Sequence, residues 1–146
     1  MAIAPIAMAT ADTIKIGEIN HYKRMAAFAG PYKQGIELGL EEANASGGVL
    51  NKKIEFIFRD DQGKPGEAVK IAEELMTRDG AVMITGTILS HVGLAISSLA
   101  GEKGYVYLAS EPLADSIVWA KGNKYTYRLR TSTFMQAAML AEEAAK

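Results

Sequence analysis

The sequence predicts an α/β fold, with a doubly wound, mostly parallel sheet that carries helices on both faces. Residues 81–85 and 105–109 are short apolar runs without polar alternation, as expected of strands that are covered on both sides. Apolar residues between these runs recur at helical spacing, at Val92, Ala95, Ile96 and Leu99. Two buried strands joined by a helix must run parallel, with a right-handed crossover.

A first strand and helix open the predicted domain. Residues 13–19 carry three isoleucines in imperfect alternation with polar residues, which predicts the first strand. A loop follows, and Pro31 suits the first position of a helix because proline lacks a backbone N–H. The apolar stripe of this helix consists of Ile36, Leu40 and Ala43.

A second unit of the same kind comes next. Residues 54–58 read IEFIF and predict a strand, and Asp60 and Asp61 follow it in a loop. The stripe of the second helix consists of Ala68, Ile71, Ala72 and Leu75. Strands alternating with helices in this order predict a doubly wound sheet.

The last part of the sequence predicts one more strand and helix. Residues 125–130 alternate strictly, which indicates an edge or connecting strand with one wet face. Thr133 and Gln136 have the spacing of a capping box and open a final helix. This helix has no terminator before Lys146, so we expect the sequence to be part of a longer protein.

Composition excludes several classes of function. The 146 residues are enough for one domain with a substantial core, and a net charge of −1 gives no indication of nucleic-acid or polybasic membrane binding. The absence of cysteine excludes disulfides, cysteine metal sites and thiol catalysis. Residues 1–11 are small and apolar with small-x-small patterns, which indicates the remainder of an export signal, or alternatively a disordered segment without function.

Several stretches carry a resemblance to a known family. They are IKIG at 14–17, GIELGLEEANASGGVLNKKIEF at 35–56, the aspartate pair at 60–61, ITGTILS at 84–90 and YRLRTS at 127–132. Together they resemble the N-terminal part of the type I periplasmic binding proteins, in particular the Leu/Ile/Val-binding branch that serves ABC importers.

The resemblance implies an architecture and a function. It implies that residues 12–131 form part of an N-terminal ligand-binding lobe, and that residues 132–146 form a helix that crosses to a second lobe. The expected function is extracytoplasmic capture of a branched-chain amino acid or a related small carboxylate, such as an aromatic acid. The expected partner is the ABC permease, and the expected location is the periplasm or another extracytoplasmic space.

The expected ligand site lies at the carboxyl ends of the strands, where open α/β sheets bind small molecules. The resemblance places the serine that holds the charged end of the ligand at Ser90, and a second binding loop at residues 109–113, which includes Ser110 and Glu111. Ser90 could alternatively be only a helix N-cap. Glu111 departs from the small residues and threonine of the aliphatic amino-acid binders, and its carboxylate would repel an anion unless it caps a helix or faces a cation.

Other candidate residues flank this site. His91 follows Ser90, and the aromatic residues Tyr22 and Phe134 lie in segments that could line a cleft. Asp60 and Asp61 could form an acid/base pair or a cation site, but adjacent aspartates after a strand are more often turn and cap residues. The two histidines are too isolated in sequence to predict a metal site.

Two other classes of function compete with solute binding. A nucleotide-binding enzyme half-domain needs a Gly-x-Gly-x-x-Gly turn after the first strand, and the sequence there reads EINHY at 18–22. Neither a Walker lysine motif nor a nucleophile elbow is present, so we expect neither catalysis nor a cofactor. A ligand-sensing receptor or regulator built on the same core remains the main alternative.

Overall fold

The computed structural model describes residues 13–146, and the expected export segment at residues 1–11 lies outside them. The strands are β1 Ile14–Asn20, β2 Ile54–Asp60, β3 Met83–Gly86, β4 Tyr107–Ala109 and β5 Thr126–Arg128. The helices are α1 Ala26–Ala45, α2 Pro65–Thr77, α3 Ser90–Lys103 and α4 Thr133–Ala144, with a 3-10 turn at Asp115–Ile117. In this part of the chain, no helix is long and apolar enough to cross a membrane.

The five strands form one parallel sheet in the order β2-β1-β3-β4-β5, which confirms the predicted fold class. The connection from β1 to β2 runs in one direction across the sheet, and the connections from β2 to β3 and from β3 to β4 run in the opposite direction. Because each crossover is right-handed, α1 lies on one face of the sheet, and α2 and α3 lie on the other. All five strands end at the same edge of the sheet, where their connecting loops gather.

The core lies between the sheet and the pair α2 and α3. The predicted stripe of α2 is fully confirmed, since all four of its residues are buried. Val92, Ile96 and Leu99 of α3 are also buried, against Ile19, Ile84 and Tyr107 of the sheet. The opposite face is covered more thinly, because Ala29 is the buried residue of α1.

Two helix starts differ from their predictions. The helix α1 begins at Ala26, so Pro31 lies inside the helix and not at its first position. The turn forms earlier because the amides of Phe28 and Ala29 both donate to the carbonyl of Met25. The cap of α4 is Ser132, whose hydroxyl accepts from the amide of Met135, so the capping position is one residue before Thr133.

Candidate functional site

Six side chains meet at the carboxyl edge of the sheet, and we call them the carboxyl-edge cluster. They come from the end of β1, the loop after it, α1 and the end of β4. They are Glu18, Asn20, Tyr22, Tyr32, Ser110 and Glu111. Glu18, Asn20 and Ser110 are buried, and the other three are half-buried.

Asn20 connects the strands of this edge. Its amide nitrogen donates to Glu18 Oε1 at 3.3 Å and to Glu111 Oε2 at 2.9 Å. Its amide oxygen accepts from the backbone N–H of His21 at 2.9 Å and of Ile88 at 3.1 Å. A single side chain therefore fixes the loops that follow β1, β3 and β4 relative to one another.

Burial controls the protonation of the cluster. Desolvation raises the pKa of the Glu18 carboxyl to about 8, although hydrogen bonds from Tyr22 and Asn20 favour its ionised form. Glu18 is therefore mostly a neutral carboxylic acid near pH 7. Burial also raises the pKa of Tyr32 to about 12, and it raises the pKa of Tyr22 well above its usual range. Both phenols are thus neutral at physiological pH.

Ser90 lies at the first position of α3, and the residue at the cap position is Leu89. The N-cap alternative for Ser90 is therefore wrong, because its Oγ accepts from the backbone N–H groups of Leu113 at 3.2 Å and Ala114 at 3.1 Å instead. A hydroxyl has two acceptor lone pairs and one donor. With both acceptor positions used by backbone amides, the O–H of Ser90 can donate to a ligand.

Arg128 holds the same loop from the other side. Its guanidinium donates to the carbonyl of Pro112 at 2.9 Å and to the carbonyl of Ala114. Ser90 and Arg128 together fix the position of residues 112–114 beside Glu111.

The remaining predicted residues lie farther from the cluster. His91 is exposed, and its Nε2 lies 3.3 Å from the carbonyl oxygen of Gly63. Phe134 is 61% exposed, and its ring contacts Trp119 edge-on at 5.7 Å between centroids. The described contacts of Phe134 are with Trp119 and Asp115, and they do not connect it to the carboxyl-edge cluster.

Three members of the cluster were absent from the sequence predictions. Glu18 was predicted only as one of the polar residues that alternate with the isoleucines of the first strand, and Asn20 lay beyond the predicted end of that strand at residue 19. Tyr32 lies on α1, and its hydroxyl reaches Ser110 Oγ at 2.7 Å. The polar residue Asn20 at the end of a buried strand was the signal that could have identified this site.

The arrangement offers hydrogen bonds and has no activated nucleophile. Its donors are hydroxyl groups and the N-terminal backbone of α3, and its acceptors are two carboxyl groups. Such a set, at the open edge of a parallel sheet, can bind a small polar molecule. The histidine and aspartates beside it, His21, Asp60 and Asp61, are the described group that could hold a metal ion.

Comparisons with known proteins agree with this geometry. The pattern of the family described as periplasmic binding protein matches residues 13–146. A Leu/Ile/Val-binding protein homolog of Brucella melitensis is 26% identical over 118 residues, which are 81% of this chain and 32% of that protein. The chain thus spans about a third of the length of the curated relatives that it matches.

Solved structures show the same similarity. A branched-chain amino acid transporter substrate-binding protein of Streptococcus pneumoniae, in complex with isoleucine, has a TM-score of 0.75 at 25% identity, over 83% of this chain and 34% of that one. A solute-binding protein of an ABC transporter from Rhodopseudomonas palustris, in complex with p-hydroxybenzoic acid, has a TM-score of 0.77 at 25% identity. That match covers 91% of this chain and 36% of the other.

Proposed function

Because this chain belongs to the periplasmic binding protein family, we propose that it is part of the solute-binding protein of an ABC importer. In this proposal, residues 12–131 form part of one lobe of the protein, and residues 132–146 lead to a second lobe. The complete protein is exported and captures its ligand outside the cytoplasm. A ligand-sensing receptor on the same core is the alternative.

The observation that carries the proposal is the placement of the carboxyl-edge cluster. Side chains from β1, α1 and β4 converge where α/β folds bind small molecules, and their hydrogen bonds are already formed. A preformed polar site needs little ordering when a ligand arrives. The mechanism is capture without bond chemistry: the second lobe closes over the ligand, and the permease recognises the closed form.

The ligand class follows from the relatives and from the charges of the site. Isoleucine and p-hydroxybenzoic acid, which are bound to two of the similar structures, both carry a carboxylate. We place this carboxylate at the O–H of Ser90 and the first backbone N–H groups of α3. The carboxyl groups of Glu18 and Glu111 would then face a hydrogen-bond donor of the ligand, such as an ammonium or a phenol.

Substitution of Ser90 in the complete protein tests this placement. Calorimetry with isoleucine, leucine and 4-hydroxybenzoate identifies the ligand, and we expect Ser90→Ala to weaken its binding by roughly 10- to 100-fold because a charge-assisted hydrogen bond is lost. Ser90→Asp can still accept the two amides of Leu113 and Ala114, but it sets a carboxylate against the ligand and should abolish binding.

A matched serine provides the control. Ser98 is exposed on the same helix, and its hydroxyl donates to the carbonyl of Leu94, so Ser98→Ala should leave the affinity unchanged. If the Ser90→Asp variant binds as tightly as the parent, Ser90 does not contact the ligand and the site has been placed wrongly. Binding of none of the three compounds would contradict the proposed ligand class.

A further inference from the structure

A second group of side chains lies at the same edge of the sheet, next to the carboxyl-edge cluster. It consists of His21, directly after β1, and of Asp60 and Asp61 at the end of β2, and we call it the His–Asp cluster. The Nδ1 of His21 lies 3.8 Å from Asp60 Oδ1 and 3.7 Å from Asp61 Oδ1. One ligand atom from each residue falls within 4.8 Å of the others.

Two atoms of this cluster are buried without a hydrogen-bond partner. They are His21 Nδ1 and Asp61 Oδ2, on side chains that are 8% and 0% exposed. The distances from His21 to the aspartates are too long for hydrogen bonds. Buried polar atoms are nearly always paired, so two unpaired atoms in one cluster call for a further component at this place.

Backbone hydrogen bonds already hold both carboxylates in place. Asp60 accepts from the N–H of Lys23 at 3.1 Å and from that of Gln62 at 2.8 Å. Asp61 Oδ1 accepts from the N–H of Gly63 at 2.7 Å. These bonds confirm that the aspartates are turn residues, and they also orient the carboxylates as the outer shell of a metal site does.

We propose that the His–Asp cluster binds a divalent transition-metal ion such as Zn²⁺. A tetrahedral ion with bonds of about 2.1 Å separates its ligand atoms by about 3.4 Å, close to the 3.7 and 3.8 Å seen here. One imidazole and two carboxylates suit Zn²⁺ and its neighbours better than Mg²⁺ or Ca²⁺, which prefer all-oxygen sites. The ion would give His21 Nδ1 a partner, and Asp61 would bind it through Oδ1 or through the unpaired Oδ2.

The surroundings provide access and also limit the affinity. A cavity of about 270 Å³ opens beside His21, and its other walls are Lys23, Arg24, Gln62 and Lys64. Water from this cavity can complete the coordination of the ion. The three cationic side chains oppose a cation electrostatically, so we expect a dissociation constant weaker than that of buried all-cysteine zinc sites.

Metal titration of the complete protein tests the proposal. After chelator treatment and dialysis, calorimetry should show saturable binding of one Zn²⁺ that is at least 10-fold tighter than binding of Mg²⁺. Asp61→Asn keeps an oxygen to accept from Gly63, and His21→Gln removes the imidazole. Each substitution should weaken Zn²⁺ binding by at least about 10-fold.

Controls separate this site from general charge effects and from misfolding. Glu37→Gln removes one exposed carboxylate from α1, which pairs with Lys33, and it should leave Zn²⁺ affinity unchanged. The absorption spectrum of bound Co²⁺ in the unsubstituted protein should show mixed nitrogen and oxygen coordination, a result that needs no variant to fold. Unchanged affinity in a folded His21→Gln protein, a preference for Mg²⁺, or no saturable binding would overturn the proposal.

Discussion

Glu18 is a carboxyl group whose charge near neutral pH depends on the fold. It is fully buried, and its pKa in the folded chain is about 8, against an ordinary value of 4.5. Below pH 4.5 both the folded and the unfolded chain carry the proton. Between pH 4.5 and 8 the unfolded chain releases the proton while the folded chain keeps it, so stability falls as pH rises, by at most about 1.4 kcal/mol per pH unit.

Substitution of the Glu18 carboxyl by an amide should remove this fall in stability with rising pH. Glu18→Gln stays neutral, and its one amide oxygen can accept from Tyr22 or from Asn20, which donate to different oxygens of Glu18. The loss of one acceptor changes stability by an amount that does not depend on pH. We expect the variant to gain stability relative to the parent as pH rises from 5 to 8, and the gap to become constant above pH 8. Urea unfolding at each pH measures this difference, and parallel pH profiles of the two proteins would contradict it.

The site shows which residues a sequence can reveal and which it cannot. Ser90, Ser110 and Glu111 were predicted from the family resemblance, together with their position after buried strands, whose ends can be recognised from apolar runs. Tyr32 was missed because it comes from α1, far from β4 along the chain, and only the packing of the helix brings it to Ser110. Whether Ser90 and Glu111 contact a ligand stays a prediction.

At the level of elements, sequence periodicity was most informative where a helix buries a full stripe. The helix α2 buries its whole predicted stripe, and α3 buries its predicted stripe except for the half-buried Ala95, because core packing and periodicity agree there. The start of α1 could not be predicted, because it depends on the carbonyl of Met25 and not on a polar cap. Strand β4 begins at Tyr107, two residues after the predicted start at residue 105, because the amide of Tyr105 donates to the carbonyl of Ala100 in α3.

The end of β3 depends on a glycine. Gly86 has φ of +113°, and a Cβ at this position would lie 2.1 Å from the carbonyl oxygen of Ile19 in the neighbouring strand. Gly86→Ala should therefore lower the free energy of unfolding by about 2–4 kcal/mol, through strain and a backbone shift. The backbone N–H of Ile88 donates to the side chain of Asn20, so a backbone shift at Gly86 disturbs the carboxyl-edge cluster. We therefore expect Gly86→Ala to reduce ligand affinity as well.

Another glycine provides the comparison for this experiment. Gly66 lies in the first turn of α2, and a Cβ there would meet nothing within 4 Å. Gly66→Ala should leave stability unchanged or raise it by up to about 1 kcal/mol. Denaturant unfolding measures the free energy of unfolding of both variants. If both lose the same stability, the close approach of β3 to β1 does not explain the effect of Gly86→Ala.

At the scale of the whole molecule, apolar surface is unevenly covered. The helix α4 exposes Phe134, Met135, Met139 and Leu140, and it has no buried residue. A cavity of about 280 Å³ remains between α1 and the sheet, lined by apolar residues that include Ile36 and Phe56. Exposed apolar surface of this kind is typical of protein contacts, membrane contacts and ligand grooves.

The two-lobe proposal predicts a large difference in affinity between this chain and the complete protein. The chain carries one wall of the proposed cleft, so a bound ligand would stay exposed on its other side. We expect the isolated chain to bind the ligand at least about 100-fold more weakly, because contacts and desolvation from the second lobe are missing. Calorimetry on both proteins measures this ratio, and equal affinities would place the whole site in this chain.

The position of β1 inside the sheet has a consequence for how the chain acquires its structure. The first strand pairs with β2 on one side and with β3 on the other, and each partner comes after an intervening helix. During synthesis the first strand therefore emerges long before either neighbour, with its pairing groups unsatisfied. Such non-local pairings close slowly and leave strand edges open to wrong partners. The segment Ile14–Asn20 thus gains both of its sheet partners only after β3 has been made.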